Sequence, residues 1–306
     1  FRWVEEVIRA SRRLSATRVV VPSGDRFTAA LSVRPAPLRV PVTTLLMRSP
    51  HILPPRESMS GRTVQALKVT SLTLAKARSR LRVVHLVGPG TSSVEGLEIV
   101  GDPVEVCASP ASWPAGTDLQ KSDLDRIWFG VFGNIDRRKN VPRILEALAE
   151  SKLHNWGLVL GGRVAPDVMA EVRHQSRTTL TSGGMVLAYD RVLTEEEFWG
   201  LLRAVDCVVV AYTTRGSSGV LLRAGVAGSR VVVAGSESLL CHRRALGIGL
   251  EADLNLRSLA RTLEAAVLHP KPFPVAVTPP SEFADVLLGE RRGSAAHHVC
   301  EAPDRD

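Results

Sequence analysis

The chain has 306 residues, of which 44% are hydrophobic and 23% charged, and it carries a formal net charge of +8. That length is generous for one ordinary α/β domain and comfortable for two, the composition is that of a folded water-soluble protein, and no stretch approaches the roughly 18 uninterrupted apolar residues of a membrane span. Cys107, Cys207, Cys241 and Cys300 lie far apart with no CxxC pair, so neither a zinc site nor a disulfide framework is indicated, and a reducing cytoplasm fits. The chain opens at Phe1 with no basic-then-apolar leader, so no signal peptide is read. The positive charge suits a phosphate-rich small substrate, an anionic membrane surface or nucleic acid. With only 5% aromatics and no stacking platform, nucleic acid is set aside.

Val4, Val7, Ile8 and Leu14 recur at helical spacing and lead into Arg18-Val-Val-Val-Pro22, a buried strand ended by proline. A doubly wound domain ordinarily opens with a strand, so the first strand and its loop are expected to be missing from the N-terminal domain. Residues 42–47 form the next strand candidate, set between Pro41 and Pro50. A basic amphipathic helix is read from Val64 to Ala75, and residues 82–87 form a third strand, closed by Gly88-Pro89-Gly90. The polar, proline-bearing run 109–121 reads as an interdomain linker.

From Arg126 the alternation is cleaner. Strands are expected at 127–132, 157–160, 185–188, 207–211 and 231–234, and helices at 141–148, 165–177, 194–204, 218–227 and 256–268. Thr194 and Glu197 have the spacing of a capping box. This spacing of βαβ units implies a parallel sheet. The expected domains are therefore 1–120, 121–288 and a disordered tail 289–306.

Three segments of the second half carry a resemblance. The first runs from Phe129 through Gly133 to Arg138-Lys139-Asn140, a strand and a basic corner before a helix with Ile144, Leu145 and Ala147. The second is Val186 to Asp190, then Arg191-Val192-Leu193-Thr194 and three glutamates. The third is Val210 through Arg215, Ser217-Ser218-Gly219 and Arg223 to Gly228 and the strand that follows. In order and spacing they resemble the C-terminal domain of GT-B glycosyltransferases of family 4, glycosyl transferases group 1, over residues 126 to 268. The first half resembles that family only loosely, through Gly101-Asp102-Pro103-Val104.

The resemblance implies an α/β fold of two Rossmann-like domains facing a cleft, and transfer of a hexose-type sugar from a nucleotide-diphosphate sugar with retention of configuration. Arg138 and Lys139 would stabilise the diphosphate as it leaves, because cationic side chains must neutralise its growing charge. Gly133 and the Ser217, Ser218 and Gly219 turn would cradle the donor, the turn offering free N–H groups at a helix start. Arg191, Val192 and Leu193 would frame the base through their backbone. The family's two glutamates, eight residues apart, fall at Arg215 and Arg223, and Arg223 is expected to face the cleft. A guanidinium cannot accept the hydrogen bonds that the second glutamate takes from a ribose.

No metal or other cofactor is called for, because the cations are built in. The acceptor is left open among carbohydrate, lipid and natural product, with peripheral contact to the inner face of a membrane included. His85, His51, Gly161 and Gly162 each have ordinary structural explanations. The alternative reading is a non-catalytic GT-B-like protein that binds a nucleotide or sugar phosphate, or a partner subunit.

Overall fold

The structure, a computed structural model, describes residues 2–22, 24–33, 38, 40–47, 59–79, 81–88, 97–115, 117, 123, 125–179, 183–213 and 218–290. The chain divides into two compact units, one of Phe1–Pro103 with Thr278–Asp306 and one of Val104–Val277.

The first unit is built on four parallel strands in sequence order, β1 (Val19–Val21), β2 (Val42–Leu46), β3 (Arg82–Val87) and β4 (Glu98–Gly101). Helices Arg2–Arg13, Gly24–Val33 and Met59–Ser79 serve one face, where Phe27, Leu31, Leu72 and Ala75 close over Val21, Val42, Leu46 and Val83. The opposite face is covered by helix Pro280–Leu288 from the other end of the chain, whose Val286 and Leu287 pack on Leu45, Val84, Leu86 and Val100. Arg82 ties this helix down: its guanidinium pairs with Glu98 and donates to the Leu287 carbonyl at 3.1 Å.

The second unit holds six parallel strands in the order β10-β9-β8-β5-β6-β7. They are β5 (Ile127–Phe132), β6 (Trp156–Gly161), β7 (Met185–Tyr189), β8 (Cys207–Tyr212), β9 (Arg230–Gly235) and β10 (Leu250–Ala252). Period-two alternation splits each strand between two cores. Phe129 and Val131 join Ile144, Leu148, Val168 and Leu263 on one face, while Trp128 and Phe132 join Leu201, Leu202, Leu221 and Leu239 on the other. Each such side chain contributes about 1.5–3 kcal/mol by leaving water, which is why the uninterrupted apolar runs had to be interior strands.

The chain lays β5, β6 and β7 outward in one direction, then returns to place β8 against the free side of β5 and builds β9 and β10 the other way. The order of strands therefore reverses between β5 and β8. In an open parallel sheet the loops leaving the carboxyl ends diverge at such a reversal and leave room for a ligand.

The units do not divide at residue 120. Val104 packs with Trp199 and Leu222, Trp113 meets Trp128 edge-on at 5.0 Å, and Arg203 donates to the carbonyls of Cys107 and Ser109. The proline-bearing run thus adheres to the second unit: its few apolar side chains are buried there and its carbonyls are taken by an arginine. The run 280–288 goes to the first unit for the same reason, since Val286 and Leu287 bury there. Residues 291–306 of the expected tail lie outside the described residues.

Several elements escaped the sequence reading: helices Gly24–Val33, Glu237–Leu246 and Pro280–Leu288, and strands β4 and β10. β10 has three residues and one buried side chain, too short for a periodic signal.

Gly162 locks the carboxyl edge. It has φ +133°, and an added Cβ would fall on the carbonyl of Gly133. Gly183 has φ +83° with open space around it. Gly162→Ala should therefore lose more stability than the roughly 1 kcal/mol of left-handed strain expected for Gly183→Ala, by a further 1–3 kcal/mol or so, read from denaturant midpoints. Equal losses would show that the Gly133 contact is not tight.

Candidate functional site

At the end of β5 the chain turns through Gly133, φ +87°, whose N–H donates to Gly161 O at 2.8 Å. Two residues on, Ile135 bridges Val164, holding the loop to the strand-end beside it. Asp136 then caps a short 3-10 turn, Arg137–Lys139, by accepting from Arg138 N at 3.0 Å. The same carboxylate takes the Arg138 guanidinium, with Nε at 2.8 Å. That hydrogen bond, more than any other influence, holds the Asp136 carboxyl below its ordinary range and raises Arg138.

Asn140, in the left-handed conformation at φ 51°, ends the turn and donates from Nδ2 to Ala211 O of β8 at 2.7 Å. Thr213 N in turn donates to Arg138 O at 3.1 Å. The corner after β5 is thus stitched to the end of β8 from both sides.

Lys139 points back into this junction. Its side chain is only 8% exposed, its Nζ donates to Phe132 O, and the ammonium stands 5.0 Å from the centroid of the Tyr212 ring. Desolvation pushes its pKa down to about 8, partly countered by Asp136 and aided by Arg138. Gly133 leaves room beside the ammonium, since a Cβ there would lie 3.2 Å from Nζ and 3.7 Å from Val220 Cγ2.

Val220 belongs to the second corner. There Ser218, 5% exposed, caps helix Gly219–Val226 by accepting from Leu221 N at 3.3 Å. Gly219 is exposed with open space over its Cα. The structure therefore brings Gly133, Arg138, Lys139, Ser218 and Gly219 to the two loops that flank the strand reversal. Ser217 and Arg215 lie outside the described residues.

Arg191, Val192 and Leu193 follow β7, two strands away along the same carboxyl edge. Arg191 pairs with Glu197 inside the Thr194 capping box, Val192 is 67% exposed, and Leu193 turns inward against the core. Gly162 N donates to Tyr189 O, so the loops after β5, β6 and β7 form one continuous rim.

Arg223 is engaged elsewhere. Its guanidinium forms a two-pronged pair with Glu195, 2.9 Å at the closest, and lies over the Phe198 ring at 4.9 Å. It clamps its helix to the one that begins at Glu195. The residues that sequence reasoning missed are Tyr212 and Asp136. Tyr212 fell one residue beyond the strand expected at 207–211, and Asp136 stood two residues before a cation it turned out to hold. The Asp-x-Arg spacing of a capped turn was the available signal.

No family model matches the chain, and no curated protein matches it in sequence. Solved structures do resemble it in three dimensions. OtsA in its apo form superposes with a TM-score of 0.62 at 12% identity, over 96% of this chain and 74% of that one. An α,α-trehalose-phosphate synthase (UDP-forming) from Burkholderia xenovorans, in complex with glucose-6-phosphate, gives 0.60 at 10% identity over 88% of this chain and 71% of that one. Anabaena HepE, in complex with UDP and glucose, gives 0.57 at 14% identity over 86% and 71%. At such identities the likeness is one of fold: the chain has the α/β architecture of GT-B glycosyltransferases, with two parallel-sheet units.

Proposed function

We propose that this chain is a glycosyltransferase that moves a hexose-type sugar from a nucleotide-diphosphate sugar to an acceptor, with retention of configuration. The observation that carries the reading is a buried ammonium, Lys139, placed at the strand reversal opposite a capped and open helix start at Ser218 and Gly219. Burying a cation without a carboxylate partner is costly unless an anion uses it.

In the reaction the bond between the anomeric carbon and the phosphate oxygen breaks and its electron pair leaves on the diphosphate. The acceptor oxygen bonds to the same face of the sugar and gives up its proton to the departing phosphate. Lys139 and Arg138 stabilise the charge that grows on that phosphate, and the N–H groups at Gly219 hold it in place. The rim at Arg191, Val192 and Leu193 supplies backbone groups for the base. Carbohydrate, lipid and natural-product acceptors suit the reading, as does peripheral contact with an anionic membrane through the positive net charge. A binding protein without turnover is the second reading, favoured by the pairing of Arg223 with Glu195, which leaves no acceptor on that helix face for a ribose. Release of free sugar from UDP-, GDP- and ADP-sugars separates the two readings: binding of a donor without turnover would establish the second.

Lys139→Met provides a double test. The pKa of Lys139 in the fold lies near 8, below its ordinary 10.5, so burial opposes the charged form. The group's cost to the ligand-free fold is therefore full below about pH 8 and is relieved as pH rises towards the ordinary value. Lys139→Met should melt higher than the natural chain at pH 7 in the absence of ligand. It should also bind UDP at least about tenfold more weakly, a loss of roughly 1.4 kcal/mol. A variant that keeps full UDP affinity removes Lys139 from the site.

The same titration sets the pH dependence of binding. An anion needs the ammonium, so UDP affinity should hold steady from pH 6.5 to 7.5 and fall above pH 8, approaching about tenfold per pH unit. A calorimetric series that stays flat to pH 9.5 would place the diphosphate away from Lys139.

A further inference from the structure

We propose that Tyr212 is the positioning residue of this corner, its ring face holding the Lys139 ammonium in place beside the capped helix start. The inference rests on the reading of the corner as a diphosphate site and adds a residue that the reading does not use.

Tyr212 is the last residue of β8, and alternation along that strand sends Cys207, Val209 and Ala211 to one core and Val208 and Val210 to the other, the core against which Tyr212 also packs. Its backbone is fixed on both sides. Its carbonyl accepts from Ser236 N at 2.9 Å, and the next amide, Thr213 N, donates to Arg138 O at 3.1 Å. The side chain therefore has little freedom to drift. Its ring lies 5.0 Å from Lys139 Nζ, within the reach of a cation–π contact.

The other groups around the ammonium cannot do this work. From the 3-10 turn, Asp136 attracts it but is committed to Arg138, and Arg138 repels it. From β5 comes the Phe132 carbonyl, which fixes direction but is uncharged. From the helix come Ser218 and Val220, both uncharged. The Tyr212 hydroxyl is itself held in the neutral form, because burial raises its pKa. The aromatic face is thus the one broad, electron-rich surface against the cation among the described residues. It favours the ammonium without neutralising it, whereas a carboxylate in that place would satisfy the charge and compete with an incoming phosphate.

The test reads the Lys139 titration in the ligand-free protein, from the side-chain carbon resonance of isotope-labelled lysine assigned by its loss in Lys139→Met. Replacing Tyr212 with phenylalanine and then with mono-, di- and trifluorophenylalanine keeps the shape of the ring while draining its face. The Lys139 pKa should fall stepwise along the series, by about half a unit or more in total. Tyr212→Phe, which retains the ring, should leave the titration close to that of the natural chain. Tyr212→Leu, which removes the ring, should lower the Lys139 pKa and weaken UDP binding, with the UDP loss larger at pH 8 than at pH 6.5, where the ammonium stays charged.

A folded protein in which fluorination leaves the Lys139 titration unchanged would overturn the hold on the ammonium. If the natural chain does not bind UDP at all, the diphosphate reading fails by itself. The fluorination series then still decides whether Tyr212 governs Lys139.

Discussion

The organisation of the second unit converges on one costly placement, an ammonium set almost out of water against the carbonyl that ends a central strand. A lysine in such a position gives up hydration that a backbone carbonyl and an aromatic face only partly replace. Its surroundings are correspondingly rigid. Asn140 reaches across to β8, Thr213 reaches back to Arg138, and Gly162 lies against the Gly133 carbonyl. Each of these contacts is made to a main-chain carbonyl, so the position of the charge is set by the sheet itself. A loop that could relax would let the ammonium swing out to water, and the electrostatic advantage of a dry site would be lost.

The location follows from topology before it follows from residue type. Six parallel strands place all their carboxyl ends at one edge, and the reversal of order between β5 and β8 leaves two loops that part there. The loop after β5 supplies the cations and the loop after β8 supplies a helix start. A helix N-terminus alone offers N–H groups and a partial positive charge, and a lysine alone offers a point charge without direction. Side by side they combine orientation with neutralisation, which is what a group that gains negative charge as it departs requires.

Much of this was legible in the sequence, and the reasons differ from element to element. The interior strands β5, β6, β8 and β9 were readable because they are buried on both faces and spell apolar runs, as in Cys207 to Tyr212, and the edge strand β7 by its short apolar run alone. The capping box at Thr194 and Glu197 was readable because the chemistry is local, four residues long, and the structure contains both of its hydrogen bonds. The corner at Arg138 and Lys139 was readable as a basic turn before a helix. What the sequence did not carry was the difference between the two cations. Arg138 is an exposed group paired with Asp136, whereas Lys139 is buried, and adjacent residues in a tight turn point in opposite directions for reasons that lie in the neighbouring strand. The role proposed for Tyr212 was hidden for the same reason, since its contact with the ammonium comes from position 139, far from it in the chain. The adherence of residues 104 to 113 to the second unit depended on Arg203 and Trp128, partners that no local pattern could announce.

Arg223 shows how a departure from a family pattern can be absorbed by a neighbour. An arginine at this helix position would be an unpaired cation beside Phe198 and Trp199, but Glu195 stands at the first turn of the adjoining helix and takes it with two hydrogen bonds. A carboxylate thus stands one helix away, at Glu195, rather than on helix Gly219–Val226 where the family resemblance would place it. Because the guanidinium offers only donors, this helix contributes capping N–H groups and a packing face but no acceptor of its own. At the rim after β7, Arg191 is held by Glu197 and Val192 is exposed. The basic corner after β5 and the rim after β7 are therefore separate parts of the same sheet edge, and the Arg223 and Glu195 clamp ties the helix that follows β8 to the helix that follows β7.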